Sequence, residues 1–150
     1  MIKGSCACGR IQYQTQAQPL SVDACHCGTC QKAGGPFLGF ADFPVSELQW
    51  THQPPDMWTR SEIADRGYCN VCGSSLSMQY RFQDVIGITL GTIQAGTSLP
   101  RLGTHIFLKE KAPWFVLPDD GAQRWDEFPP EFQQKLDQWN QGRRKSERPE

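Results

Sequence analysis

Seven cysteines in a chain of 150 residues fall into three tight clusters, and this grouping constrains the fold more than any other feature. The clusters are Cys6/Cys8, Cys25/Cys27/Cys30 and Cys69/Cys72. Cysteines one or two residues apart can reach one zinc ion from a single turn, because the sulfur atoms around a tetrahedral ion lie only about 4 Å apart. The spacing therefore predicts zinc sites and disfavours a set of isolated buried thiols.

A closed structural zinc site needs four thiolates, whereas a catalytic site has three protein ligands and one open position. Seven cysteines divide into four and three. Cys25, Cys27 and Cys30 form a self-contained three-thiolate site in one loop. The remaining four then form a structural site that ties the N-terminus to the middle of the chain: Cys6, Cys8, Cys69 and Cys72.

A rival division joins the last two cysteines of the middle cluster to the C-terminal pair as a zinc ribbon. That ribbon would consist of Cys27, Cys30, Cys69 and Cys72. It leaves the other three cysteines without a clear role, so the division into four and three is favoured. We expect two zinc ions as cofactors, the three-cysteine site being partly empty because three ligands hold a metal less firmly than four.

The chemistry expected at an open zinc position is thiol activation. A thiol bound to zinc is deprotonated and is held as the nucleophilic thiolate. Three anionic sulfurs weaken the ion as a Lewis acid, which disfavours polarisation of a carbonyl group. The natural reaction class is the making or breaking of a carbon–sulfur bond, such as the addition of a thiol to an aldehyde.

Charge and hydropathy exclude several classes of partner. The chain has 15 Lys and Arg against 16 Asp and Glu, a formal net charge of −1, so nucleic acid is not an expected partner. No apolar run approaches the ~18 residues of a membrane span, and the N-terminus lacks the apolar core of a secretory signal. We therefore expect a cytoplasmic protein whose cysteines are reduced.

Apolar alternation and frequent turn residues predict a mostly β fold. No linker interrupts the sequence, so a single domain is expected over 1–150. Short strands are expected at 11–15, 20–24, 37–43, 45–50, 75–80, 84–90 and 105–109, with an extended or irregular stretch at 57–68. Phe132, Leu136 and Trp139 follow a proline pair at helical spacing and predict a short C-terminal helix. The basic residues 143–145 are expected to fray.

Four segments of the sequence carry a resemblance to a known family. They are GSCACGRIQY (4–13), CHCGTCQKAGGPF (25–37), YCNVCGSSL (68–76) and HIFLKEKAPWF (105–115). Together they resemble the glutathione-dependent formaldehyde-activating enzyme (GFA) family, which also includes centromere protein V. The resemblance covers a core of about 4–129, with the helix and basic tail at about 130–150 beyond it.

The resemblance implies a fold, a ligand set and an activity. The fold would be several small coiled antiparallel β-sheets organised around zinc. The structural ion would be held by Cys6, Cys8, Cys69 and Cys72, and the catalytic ion by Cys25, Cys27 and Cys30. The activity would be that of a carbon–sulfur lyase that combines glutathione and formaldehyde into S-hydroxymethylglutathione.

Substrate-binding residues are less well marked than metal ligands. Lys32, two residues after the last cysteine of the catalytic loop, is a candidate partner for a carboxylate of a thiol substrate such as glutathione. Arg10, Arg60 and Arg81 are equally possible anion partners. The side chain of His26 is expected to point away from the neighbouring sulfurs, and His105 is expected to be a hydrogen-bonded structural histidine.

Two other functions fit the same cysteine pattern. One is a non-catalytic zinc-binding interaction module, because the zinc scaffold lacks an obvious acid–base pair. The other is a zinc or thiol redox sensor, which would release zinc when the three-cysteine loop is oxidised.

Overall fold

Short β-strands separated by turns make up most of the chain. The structure, a computed structural model, describes residues 1–146, so the end of the expected basic tail lies outside the described residues. The strands are β1 (Ile2–Ser5), β2 (Gln12–Thr15), β3 (Ser21–Cys25), β4 (Leu38–Pro44), β5 (Leu48–Trp50), β6 (Asp56–Ser61), β7 (Ala64–Tyr68), β8 (Ser75–Tyr80), β9 (Val85–Thr89), β10 (Thr104–Ile106) and β11 (Gln123–Arg124). The helices are α1 (Gly28–Gly34) and α2 (Pro130–Ser146). The prediction of a mostly β fold with a C-terminal helix is confirmed.

The strands form two sheets. The small sheet has the order β1-β2-β5, and the large sheet has the order β11-β10-β3-β4-β9-β8-β7-β6. Most neighbours are antiparallel, as the resemblance implies, but β10 lies parallel to both β3 and β11. The long connection between β3 and β10 allows this parallel pairing, which places residues 105–110 beside the middle cysteine cluster.

The main core lies on one face of the large sheet, against the small sheet. Alternate residues of a strand face opposite sides, and Val22, Phe43 and Ile88 face this core. They pack with Ile11 and Tyr13, which are 0% and 1% exposed. Burying aliphatic and aromatic side chains of this kind contributes about 1.5–3 kcal/mol each. The opposite face of the large sheet is thereby left for the candidate site.

Helix α2 packs across that opposite face by the apolar stripe that the sequence predicts. The ring of Phe132 lies 4.9 Å from Tyr80, and the ring of Trp139 lies 5.8 Å from Phe82, centroid to centroid. The basic residues expected to fray belong to α2 instead. Arg143 donates to a carboxylate oxygen of Glu62 at 3.1 Å. Neither helix in the described part of the chain has the length and apolarity needed to cross a membrane.

Candidate metal centres and active site

Two cysteine loops meet between the small and the large sheet. One follows β1 and the other follows β7. The Sγ atoms of all four cysteines lie within 4.8 Å of one another: Cys6, Cys8, Cys69 and Cys72. The sulfur of Cys8 is 3.5 Å from that of Cys6 and 3.7 Å from that of Cys69. Four thiolate donors at this separation fit a tetrahedral zinc ion.

The local sequence forms both loops in the same way. Gly9 and Gly73 follow the second cysteine of their loops and both have φ of 76°, a left-handed conformation that glycine adopts without strain. Each glycine N–H donates to the carbonyl of the first cysteine, at 3.0 and 2.8 Å. The Ala7 N–H donates to Ser74 Oγ at 3.0 Å and joins the loops. The backbone thus brings the sulfurs together.

The second group of sulfurs lies where β3 passes into α1. Cys25 ends β3, Cys27 immediately precedes α1 and Cys30 lies in its first turn. Their Sγ atoms lie within 4.8 Å of one another. Cys25 and Cys30 are buried, and Cys27 is half-buried. The sulfur atoms therefore fall into the groups of four and three, and the pairs that a zinc ribbon would join lie in different groups.

The three sulfurs of the middle cluster cannot all be ionised without a cation. The thiols of Cys25 and Cys30 lower the pKa of Cys27 to about 2, and the same crowding holds the pKa of Cys25 well above its usual range. Close packing of the three sulfurs therefore disfavours a negative charge on all of them at once. A divalent cation would let all three act as thiolates, so the donor set fits zinc.

An arginine that the sequence did not mark lies against this cluster. Both Nη atoms of Arg66, on β7, are 3.8 Å from the Cys30 sulfur. Two of the arginines considered from sequence are occupied elsewhere: Arg10 pairs with Asp56, and Arg81 pairs with Asp65 at 2.7 Å. Sequence offered no signal for Arg66, because the two residues are 36 positions apart and meet only through the sheet.

Two sequence candidates remain: Lys32 shares a cavity with this arginine, whereas Arg60 is exposed on β6 and does not line that cavity. The cavity has a volume of about 380 Å³ and lies between α1 and the β6–β7 hairpin. Trp58 and Tyr68 line it and are 47% and 38% exposed. No carboxylate lies within ion-pair distance of Lys32 or Arg66 in residues 1–146. Two cations and two aromatic rings beside the cysteine cluster suit an anionic ligand.

A buried histidine pair anchors the loop that contains Cys25, Cys27 and Cys30. His26 Nε2 lies 2.9 Å from His105 Nδ1, and His105 Nε2 donates to Asp120 at 2.9 Å. The rings of Phe37 and Phe115 pack beside His26 at 5.2 and 6.1 Å. Burial, with the charge of His105, lowers the pKa of His26 to about 4, which keeps it neutral. His105 is hydrogen-bonded, as expected, and holds the loop to the 105–120 segment.

A larger cavity opens on the other side of the cysteine cluster, between the large sheet and α2. Its volume is about 500 Å³, and Cys25 forms part of its wall. Two carboxylates line its floor: Ser21 Oγ donates to Asp23 at 2.5 Å and lies 3.3 Å from Asp42. Burial, together with the charge of Asp23, raises the pKa of Asp42 from 3.8 to about 6.

The raised pKa of Asp42 predicts that the stability of the chain depends on pH. The folded chain binds a proton at Asp42 more tightly than the unfolded chain does. The contribution of Asp42 to the free energy of unfolding is therefore fully present below pH about 4 and is lost as pH rises through about 6. Asp42→Asn should therefore be more stable than the natural chain by about 3 kcal/mol at pH 7 and about equally stable at pH 4.

Urea unfolding of both proteins between pH 4 and 8, in zinc-containing buffer, measures this difference. Asp137→Asn, on the exposed side of α2, is the matched control and should show no such trend. A stability difference between Asp42→Asn and the natural chain that does not change with pH would contradict the prediction.

Comparison with known proteins identifies a family that matches this chain. A family model described as glutathione-dependent formaldehyde-activating enzyme matches residues 1–110, which contain all seven cysteines. A protein of Schizosaccharomyces pombe described as an uncharacterized lyase is 25% identical over 79 residues. That match covers 52% of this chain and 57% of the yeast protein, so the chain spans little more than half of that relative's length.

A solved structure shows the same fold. The crystal structure of a Rhodobacter sphaeroides protein matches with a TM-score of 0.54 at 19% sequence identity, over 82% of this chain and 98% of that one. The family model itself covers more than two thirds of the sequence. By that match, this chain belongs to the glutathione-dependent formaldehyde-activating enzyme family.

Proposed function

We propose that this protein is a zinc-dependent carbon–sulfur lyase that forms or cleaves the adduct of a thiol and an aldehyde. Glutathione and formaldehyde are the candidate substrates, with S-hydroxymethylglutathione as the adduct. The observation that carries the proposal is the group of three sulfurs within 4.8 Å of one another, one of which lines a cavity. Membership of a lyase family and the lyase name of the yeast relative support the same reaction class.

The two cysteine groups take different roles in this proposal. The group of four holds a structural zinc, because it offers a complete tetrahedral donor set. The group of three, Cys25, Cys27 and Cys30, holds the catalytic zinc and leaves one position free. A zinc ion held there would keep a substrate thiol deprotonated at neutral pH. The histidine pair behind the loop fixes its backbone, which keeps the three sulfurs on one side.

The addition balances without an oxidant or reductant. The sulfur of the thiolate attacks the carbonyl carbon, and a carbon–sulfur bond forms while the carbonyl double bond becomes a single bond. The carbonyl oxygen takes the proton that the thiol released. Cleavage of the adduct is the reverse of these steps.

The cationic cavity gives the thiol a place to bind. Lys32 and Arg66 line this cavity beside the cysteine cluster, and Arg66 lies 3.8 Å from the Cys30 sulfur. Glutathione carries two carboxylates, which a lysine and an arginine bind by charge-assisted hydrogen bonds. The thiol would thus be held by its carboxylates while its sulfur reaches the three-cysteine site.

Lys32→Gln is expected to raise the KM for glutathione about tenfold with little change in kcat, because a carboxylate contact held equally in ground and transition states is worth about 1.5 kcal/mol. Two-dimensional exchange NMR of glutathione with formaldehyde measures the catalysed rate on zinc-loaded protein. The same variant should leave the rate with 2-mercaptoethanol unchanged, because that thiol has no carboxylate.

Arg60→Gln, on the exposed strand β6, is the matched control and should behave as the natural chain with both thiols. An equal loss with both thiols in Lys32→Gln would contradict carboxylate binding. Failure of the natural, zinc-loaded chain to accelerate adduct exchange with either thiol would overturn the proposed reaction.

A further inference from the structure

The cavity under α2 is far larger than formaldehyde requires. Its volume of about 500 Å³ is in the range of cavities that bind whole metabolites, whereas formaldehyde has two heavy atoms. Cys25, a ligand of the candidate catalytic zinc, forms part of the wall. A molecule that fills the cavity therefore reaches the reacting position at one end and extends away from it at the other.

Both the sheet and the segment around α2 contribute apolar side chains to the cavity wall. Phe40 and Met78 project from the sheet and are 4% and 8% exposed. Phe128 and Phe132 face them from the other side, with ring centroids 4.5 Å apart in a stacked pair. Aromatic and thioether side chains on two sides suit a flat or aliphatic body.

The far end of the cavity is acidic. Asp23 and Asp42 line it, bridged by the Ser21 hydroxyl, and no ion pair to either carboxylate is formed within residues 1–146. A Cβ at Gly87 would lie 2.8 Å from Asp42 Oδ1, so the glycine makes room for this carboxylate. At the rim, Glu131 and Lys135 of α2 bring one charge of each sign.

The spacing of these features along one sheet face fixes the length of the ligand. Cys25, Asp23 and Ser21 alternate along β3, so they face the same side at intervals of about 7 Å. Asp42 lies opposite Ser21 on β4. A cationic group that reaches the carboxylates would thus lie roughly 7–13 Å from the Cys25 end of the cavity.

Resting on the proposed function, we propose that this cavity binds the carbonyl substrate and selects an aldehyde larger than formaldehyde, with an apolar body and a protonated amine at its far end. The aldehyde carbon lies beside the three-cysteine site, the body lies between Phe40 and Phe132, and the amine donates to Asp23 and Asp42. The walls from Phe128 and α2 lie outside residues 1–110, so the cavity is closed in part by residues beyond the family match.

The test uses two aldehydes of nearly the same shape. The protonated form of 4-(dimethylaminomethyl)benzaldehyde places one N–H donor several ångströms from the carbonyl and cannot form an imine with itself. Its neutral isostere, 4-isobutylbenzaldehyde, has a CH in place of the N–H and lacks the charge. Adduct exchange with glutathione on zinc-loaded protein gives kcat/KM for each aldehyde. Titration calorimetry with the corresponding unreactive benzyl alcohols measures binding without the reaction.

We expect the cationic aldehyde to have a kcat/KM at least tenfold above that of its neutral isostere, and the cationic alcohol to bind correspondingly tighter. Asp42→Asn should reduce to near one both the ratio of kcat/KM values for the two aldehydes and the ratio of affinities for the two alcohols. This variant is expected to fold because it should be more stable than the natural chain. Asp137→Asn, an acid-to-amide change on the exposed side of α2, should leave both ratios unchanged.

The outcomes separate this proposal from the proposed function. Equal rates for the two aldehydes, or a cation preference that survives in Asp42→Asn, would overturn the proposal even if glutathione and formaldehyde still react. Binding of the cationic alcohol that depends on Asp42, without catalysis for any aldehyde, would support the cation site while it overturns the proposed reaction.

Discussion

Replacing Cys69 with serine is expected to unfold most of the chain. The Cys69 side chain is 0% exposed, and its sulfur lies 3.7 Å from that of Cys8, so the substitution removes one of four thiolates from the proposed structural zinc site. Structural zinc contributes on the order of 10 kcal/mol in small domains, and the total stability of a domain is about 5–15 kcal/mol. Loss of the site therefore removes most of the free energy of folding.

The position of this site explains why the effect should spread. The loop that contains Cys6 joins β1 to β2 of the small sheet, and the loop that contains Cys69 joins β7 to β8 of the large sheet. Four zinc–sulfur bonds would tie the two sheets that enclose the main core. Without them, the small sheet is held by side-chain packing and by a few polar contacts, such as the Arg10–Asp56 ion pair.

Near-ultraviolet circular dichroism and urea unfolding at pH 7.5 measure this loss. We expect a weak aromatic signal and no cooperative transition for Cys69→Ser, and the same result for the natural chain after zinc is removed by a chelator. A Cys69→Ser protein with the urea midpoint of the natural chain would contradict a stabilising role for the four-cysteine group.

Replacing Cys27 with serine is expected to abolish activity and preserve the fold. The substitution removes one of three proposed ligands of the catalytic zinc, and we expect a rate loss of at least about 100-fold, since even outer-shell changes at metal sites cost 10–100-fold. The fold should tolerate the change. Cys27 occupies the N-cap of α1, where its side chain makes no capping hydrogen bond and where serine is a preferred residue.

Exchange NMR with glutathione and formaldehyde, together with urea unfolding, measures both parts of this prediction. The Cys69→Ser protein is the informative comparison, because the same chemical substitution at the other group should give the opposite result, a lost fold. Full activity of Cys27→Ser with every thiol–aldehyde pair that the natural chain accelerates would refute a catalytic role for the three-cysteine group.

The cysteine grouping could be anticipated from sequence because its information is local. Sulfurs one to three residues apart share a turn, and the count of seven leaves few divisions into zinc sites. Strand β8 occupies 75–80 as the alternation predicts, and α2 begins at the proline pair. The local sequence pattern was sufficient to predict these two elements.

The elements that the sequence did not predict lack a clear periodic pattern. Five of the six residues of β6 are exposed, so no alternation marks this edge strand in the stretch expected to be extended or irregular. Helix α1 has a glycine-rich sequence and is stabilised by distant groups: Glu110 accepts from the Gly28 N–H at 2.7 Å, and the Gln31 side chain donates to the His26 carbonyl at 2.6 Å.

The residues that line the two cavities could not be predicted from sequence for a related reason. The contact of Arg66 with Cys30 and the cavity closed by Phe132 both join residues far apart in the chain. Only the strand order of the large sheet and the packing of α2 bring them together. Spacing along the sequence identifies the candidate metal ligands, whereas the residues proposed to select a substrate are brought together only by the tertiary fold.

Zinc per chain, measured by elemental analysis on protein purified in zinc-replete buffer without chelator, tests the division into four and three most directly. We expect two zinc ions in the natural chain and one in a folded variant in which Cys25, Cys27 and Cys30 are all serine. One zinc ion in the natural chain, unchanged in the triple variant even after a thiol is added, would contradict a metal at the three-cysteine site and with it the proposed reaction.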